Sequence, residues 1–203
     1  MPSVNEIGGS ESYHLMEFEK LHGNEKKITC AAQCTWRPPQ EDIYKINSDR
    51  SFDPTKRSGG WGFLTRNNNG EVLAACAGNI SYASSSLQTE AIAAYKGVLQ
   101  AAQLGMSQIV LEMDATILVV AVKSSSVDRS SIDALVFKIR DVMQSEFSSC
   151  TVSLCNRNCN KVADCLALHG AYVLESGSDM LMSQVPSYVM DLVKGDLPEW
   201  CLM

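Results

Sequence analysis

An α/β domain built on a five-stranded mixed sheet is the fold class that this sequence predicts, and three observations predict it. Extended, turn-punctuated segments fill residues 43–79, helical spacing replaces them from Ser86, and helices then alternate with short apolar strands. That succession implies three antiparallel strands followed by two strands reached by parallel crossovers, flanked by helices.

The first strand is expected near residues 43–48, behind "WRPPQED" at 36–42. The two prolines there fix their own φ and restrict the residues before them, which marks a domain boundary. In "GWGFLTRNNNGEVLAACAG" two apolar runs flank "NNNG". Asparagine and glycine tolerate left-handed backbone, so this segment predicts a hairpin. Leu87, Ala91, Ala94, Val98, Ala101 and Ala102 recur at helical spacing, and Gly105 supplies the stop. "MSQIVLEMD" reads as a buried strand, followed by a helix over 115–123, a polar loop and a longer helix over 131–146. The strand "CTVSLC" and a helix over 160–172 complete the order β-β-β-α-β-α-α-β-α. Residues 1–35 read as a flexible lead, 36–174 as the domain, and 175–203 as an extension in which "YVMDLVKGDLPEW" offers one short helix.

A chain of 203 residues, 45% apolar, has material for one substantial core. Its formal charge of -6 divides as -2, 0 and -4 over residues 1–35, 36–174 and 175–203, so the acidity sits in the tails. This argues against a protein that holds nucleic acid by an overwhelmingly basic surface. The eight cysteines accompany no N-terminal apolar signal stretch. Free thiols in a reducing compartment are expected, hence an intracellular protein of nucleus or cytoplasm that is not secreted. No apolar run approaches the roughly 20 residues that cross a bilayer, so no membrane association is expected.

Four carboxylates occupy places that a core usually avoids. Asp49 lies near the end of the first strand, Glu90 in the first turns of its helix, Asp114 at the end of "IVLEMD", and Asp164 early in the last helix. Glu90 shares a stripe with Ala94 and Val98, and Asp164 shares one with Ala167, Leu168 and Ala171. Glu112, at the parity of Asp114, competes with it. Each position has a plainer reading: Asp49 and Asp114 as turn caps, Asp164 as a favourable charge at a helix N-terminus, Glu90 as half of an ion pair. Gathered together, such groups repel, and a divalent cation is the usual remedy. Oxygen-only ligation favours magnesium or manganese. Cys30 and Cys34 with His22, or Cys155 and Cys159 with Cys165, form weaker zinc candidates, because a folded domain separates the halves. Trp36, Trp61 and Trp200 are too scattered for a stacking platform and read as packing residues.

The ordered series "INSDRSFD", "GGWGFLTRNNNGEVLAACAG", "SLQTEAIAAYKGVLQAAQLGMSQIVLEMDA" and "LCNRNCNKVADCLALHG" resembles the ribonuclease H type 1 family. The likeness is greatest to the compact RNase H-like domain of plant proteins and retroelement-derived genes, and it covers residues 36–174. It implies a site for two Mg²⁺ or Mn²⁺ ions held by Asp49, Glu90, Asp114 and Asp164, in an endonuclease that cleaves the RNA strand of RNA–DNA hybrids. It also implies that Gly60, Gly62 and the segment with Ser85, Ser86 and Gln88 approach the substrate minor groove, with Arg50 and Arg157 beside the site. Two departures stand out. Arg50 replaces the glycine that usually follows the first aspartate, where it either pairs with Asp49 against the metal or holds a phosphate. The loop "CNRNCNKVAD" lacks the histidine that often precedes the last aspartate. The alternative reading is a weak or inactive module that binds nucleic acid, or a protein partner through its tails. A monomer is expected in either case.

Overall fold

The computed structural model describes residues 35–124, 132–181 and 185–197, all within one compact unit. His22, Cys30, Cys34, Trp200, the lead over residues 1–34 and the polar loop over 125–131 lie outside the described residues. The strands are β1 (Tyr44–Asp53), β2 (Ser58–Arg66), β3 (Val72–Ile80), β4 (Gln108–Met113), β5 (Ser149–Leu154) and β6 (Asp179–Leu181). The helices are α1 (Ser86–Gln103), α2 (Thr116–Lys123), α3 (Asp133–Glu146), α4 (Lys161–Tyr172) and α5 (Ser187–Asp196), with a short 3₁₀ turn at Arg157–Cys159.

The sheet runs β5-β4-β1-β2-β3-β6. β1 pairs in parallel with β4, and β4 with β5, while β1, β2, β3 and β6 pair antiparallel in succession. The described sheet therefore has six strands rather than the five expected. β6 comes from the extension after α4 and pairs Met180 with Ala77 of β3. A sheet edge leaves backbone donors and acceptors open, and three residues of returning chain close part of this one. Lys96 of α1 forms an ion pair with Asp179 of β6.

Each face of the sheet carries its own core. Ile46, Trp61, Phe63, Leu111 and Met113 pack with α1, α2 and α3. Leu64, Ala75 and Ala77 pack with Val162, Ala163 and Leu166 of α4 and with Val189 and Val193 of α5. This two-sided cover explains why residues 45–49 are buried on both parities. A polar residue on β1 is thus buried whichever way it points.

Local signals set the element ends. In the β2–β3 hairpin, Asn67 accepts through Oδ1 from Asn69 N and Glu71 N at 3.0 Å, and Gly70 takes φ +78°. α1 is capped by Ser85, whose Oγ accepts from Gln88 N at 3.2 Å, and ends at Gly105 with φ +72°. β1 runs to Asp53, five residues beyond the predicted end, because β2 pairs with it along its whole length. β2 starts at Ser58, two residues ahead of the run that begins "GWGFLTR".

Candidate functional site

The parallel pairing of β1 with β4 sets the site. Asn47 is level with Glu112, so two residues further on Asp49 comes level with Asp114 at the end of β4. α1 begins beside the same end of β1 and brings in Glu90 from its second turn. Ligand-capable oxygens of Asp49, Glu90 and Asp114 all lie within 4.8 Å of one another. Asp49 is buried at 3% exposure and Glu90 at 0%, whereas Asp114 is half-buried.

This convergence is electrostatically costly. Burial pushes the Asp49 carboxyl up to about 7, and the charges of Asp114 and Asp164 add to the rise. The N–H of Arg50, donating to Asp49 Oδ1 at 2.8 Å, opposes it. Glu90 is held well above the ordinary glutamate range by burial and then by Asp49 and Asp114, with Arg50 opposing. Both Glu90 oxygens are buried without a hydrogen-bond donor. An all-oxygen set with orphaned, charge-repelling carboxylates fits magnesium or manganese.

Asp164 stands apart from the trio. It lies in the first turn of α4, half-buried, and acts on Asp49 by its charge. The group that reaches Asp49 from α4 is instead Asn160, 1% exposed, whose Nδ2 donates to Asp49 Oδ2 at 3.1 Å and to the Ser48 carbonyl at 2.9 Å. Sequence reasoning assigned Asn160 no role, although it is the asparagine of "NKVAD". Asparagine just before a helix signals a cap, but only the fold aims its amide at Asp49.

Glu112 is removed from competition. It pairs with Lys45 at 2.9 Å and accepts from Asn47 Nδ2 at 3.0 Å. Asn47 Oδ1 in turn accepts from Trp36 Nε1 at 3.0 Å and from Arg66 at 3.1 Å, and Arg66 stacks on the Trp36 ring. These residues occupy the α5 side of the sheet, so Glu112 is turned away from the larger core that takes Ile109, Leu111 and Met113 of the same strand. Cys155, Cys159 and Cys165 do not gather into a ligand group among the described residues.

The expected substrate-facing residues divide. Arg50 does not pair with Asp49 through its side chain; its Nε stands 3.4 Å from Glu90 Oε2. Gly60 and Gly62 face α4, where a Cβ would overlap the backbone of Ala167 and, at Gly60, of Ala171. Close strand–helix packing by itself requires glycine at both positions. Ser85 and Gln88 are engaged in capping α1, the Gln88 amide oxygen also accepting from Ser84 N and Oγ at 2.7 and 2.8 Å. Ser86 is the first residue of that helix. Arg157 is exposed on the 3₁₀ turn preceding α4.

Residues 47–170 match the model of a family described as Reverse transcriptase-like. No curated protein matches the chain. Among solved structures, the chain is similar to RNase H1 of the archaeon Halobacterium salinarum NRC-1, at 19% identity and TM-score 0.58 over 63% of this chain and 96% of that one. It is similar to the N-terminal RNase H domain of a Mycobacterium tuberculosis protein, at 21% identity and TM-score 0.57 over 63% and 92%. LC11-RNase H1, solved in complex with an RNA/DNA hybrid, aligns at 16% identity and TM-score 0.52 over 61% and 91%. The shared feature is an RNase H-like fold.

Proposed function

Because the chain belongs to the Reverse transcriptase-like family, which it matches over residues 47–170, we propose that it is a metal-dependent endonuclease acting on the RNA strand of RNA–DNA hybrids. The products are 5′-phosphate and 3′-hydroxyl ends. The observation that carries this reading is the approach of Asp49, Glu90 and Asp114 to within 4.8 Å, two of them buried. A binding module has no need of that electrostatic cost. The hybrid as substrate class draws support from the RNase H-like fold shared with LC11-RNase H1, a protein solved with such a hybrid.

Asp49, Glu90 and Asp114 are the residues that would hold Mg²⁺ or Mn²⁺, and a second ion would draw on Asp49 and Asp164. When bound, the cations supply a lowered pKa for the attacking water and positive charge at the scissile phosphate and leaving oxygen. The chain's part is positioning. Asn160 fixes the rotamer of Asp49, the α1 cap fixes the turn that carries Glu90, and the β1–β4 register fixes Asp114. Arg157, exposed next to α4, is available to phosphate. Within the family we assign the compact plant or retroelement-derived type, from "E-M-D" closing β4 and "N-K-V-A-D" opening α4. A monomer acting in the nucleus or cytoplasm accompanies this assignment.

A labelled hybrid, duplex DNA, duplex RNA and single-stranded RNA, each with Mg²⁺ or Mn²⁺, provide the test. Hybrid-selective cutting, lost in Asp49→Asn and in Asp114→Asn, is expected. A folded wild-type protein that cuts none of the four would end the nuclease reading and leave the interaction module.

A further inference from the structure

Arg50 follows Asp49 on β1, and strand alternation turns it to the α1 side of the sheet. There its Nε lies 3.4 Å from Oε2 of Glu90, with 35% of the Arg50 side chain open to solvent and none of the Glu90 side chain. The contact lacks hydrogen-bond geometry, for Arg50 Nε and both Glu90 oxygens are buried without a hydrogen-bond partner. It is Coulombic attraction at a loose distance, made to a carboxylate crowded by Asp49 and Asp114. Among the charges acting on Glu90, Arg50 is the cation.

Glu90 is a carboxylate with two claimants, Arg50 and a cation shared with Asp49 and Asp114. A hard divalent cation binds a carboxylate oxygen at about 2 Å, well inside the guanidinium distance, and it satisfies Asp49 and Asp114 at the same time. It also repels a guanidinium held beside it. Arg50 has a route out, since its long stem is partly exposed and its loss from Glu90 breaks no side-chain hydrogen bond.

We infer that Arg50 is a resident counter-cation for Glu90 which a divalent ion must displace, so that this chain raises its own metal requirement. The inference rests on the metal site proposed above and adds a regulating residue to it. Arg50 lowers the repulsion within the metal-free site and weakens metal binding by the same contact. The position beside the first aspartate therefore tunes the metal concentration at which the site fills.

Isothermal titration of Mn²⁺ into the full chain tests this without reference to cleavage. Arg50→Ala and Arg50→Gln are expected to lower the Kd about tenfold, the size of one charge-assisted contact reduced by solvent on its open side. Arg50→Gln keeps most of the stem and serves where Arg50→Ala fails to fold. Lys56→Gln removes a cation from the same hairpin, where it pairs with Asp53 rather than Glu90, and is expected to change the Kd less than twofold. An unchanged Kd in the Arg50 variants, or an equal gain in Lys56→Gln, overturns the displacement and leaves the metal site standing. Absence of Mn²⁺ binding in the wild type and in both Arg50 variants removes the site and the inference together.

Discussion

Asn160 donates its side-chain amide to Oδ2 of Asp49 at 3.1 Å, across 111 residues of sequence, and the same nitrogen reaches the Ser48 carbonyl at 2.9 Å. The start of α4 is thereby tied to the central strand at the carboxylate on which the site turns. Losing such a donor leaves a buried carboxylate and a buried carbonyl short of a partner, a cost of about 1–3 kcal/mol. In Asn160→Ala, Mn²⁺ affinity by calorimetry is expected to fall about 10- to 100-fold, as for other groups that orient a metal ligand. A variant that unfolds at lower urea but binds Mn²⁺ normally would reduce Asn160 to a structural tie between α4 and β1.

Asp49 also makes stability depend on pH. Its carboxyl titrates at about 7 in the fold against 3.8 in a free chain. Between those values the folded state keeps a proton that the unfolded state has shed, so stability is full below about 4, falls as pH rises towards 7, and levels above. Glu90 shifts in the same direction and shares the effect. The Asp49 part alone is on the order of 4 kcal/mol. In EDTA, Tm is expected to drop between pH 5 and pH 8, with Asp49→Asn flattening the profile and Mn²⁺ restoring Tm at pH 8. A metal-free Tm that stays level or rises across that window contradicts the prediction.

Gly60 and Gly62 provide a steric test. A methyl group at either would overlap the α4 backbone, a collision that neither a strand nor a helix relieves cheaply. Gly60→Ala and Gly62→Ala are each expected to lose about 3 kcal/mol or more in urea unfolding, before any substrate is added. Normal stability with weakened hybrid binding would make substrate contact, not packing, the reason for glycine at these positions.

The C-terminal helix is held by a buried charge pair. Arg66, with no exposed surface, meets Asp196 of α5 at 3.2 Å and stacks on Trp36. Burial pulls the Arg66 pKa down to about 10 and pushes that of Asp196 up, and each partner opposes the other's shift. Asp196→Ala strands a buried guanidinium and is expected to cost about 3–5 kcal/mol by urea titration. The double change Arg66→Met with Asp196→Leu is expected to recover most of that loss, and a double variant no more stable than Asp196→Ala would show that the pair itself holds α5.

Much of this architecture is legible in local chemistry. "NNNG" announces its hairpin, the three-and-four spacing from Leu87 to Ala102 announces α1, and Gly105 announces its end. Three of the four carboxylates singled out by their misfit with apolar stripes meet in space. The misses share a cause. β1 is longer than its own pattern indicates because β2 supplies pairing partners, and β6 escapes notice because three residues carry no measurable period. The close cover of Gly60 and Gly62 by α4 has no signal in their neighbours in sequence.

The sequence by itself determined the order of elements as far as α4, the hairpin turn and the supply of carboxylates, since each is written in neighbouring residues through backbone preference and periodic burial. Only the tertiary structure decided which partners those residues take. It gave Glu112 to Lys45 and Asn47, Asp49 to Asn160, Arg66 to Asp196, and Arg50 to Glu90. Such choices depend on strand register and on which helix covers which face, and charges far apart in sequence find one another only when those are set.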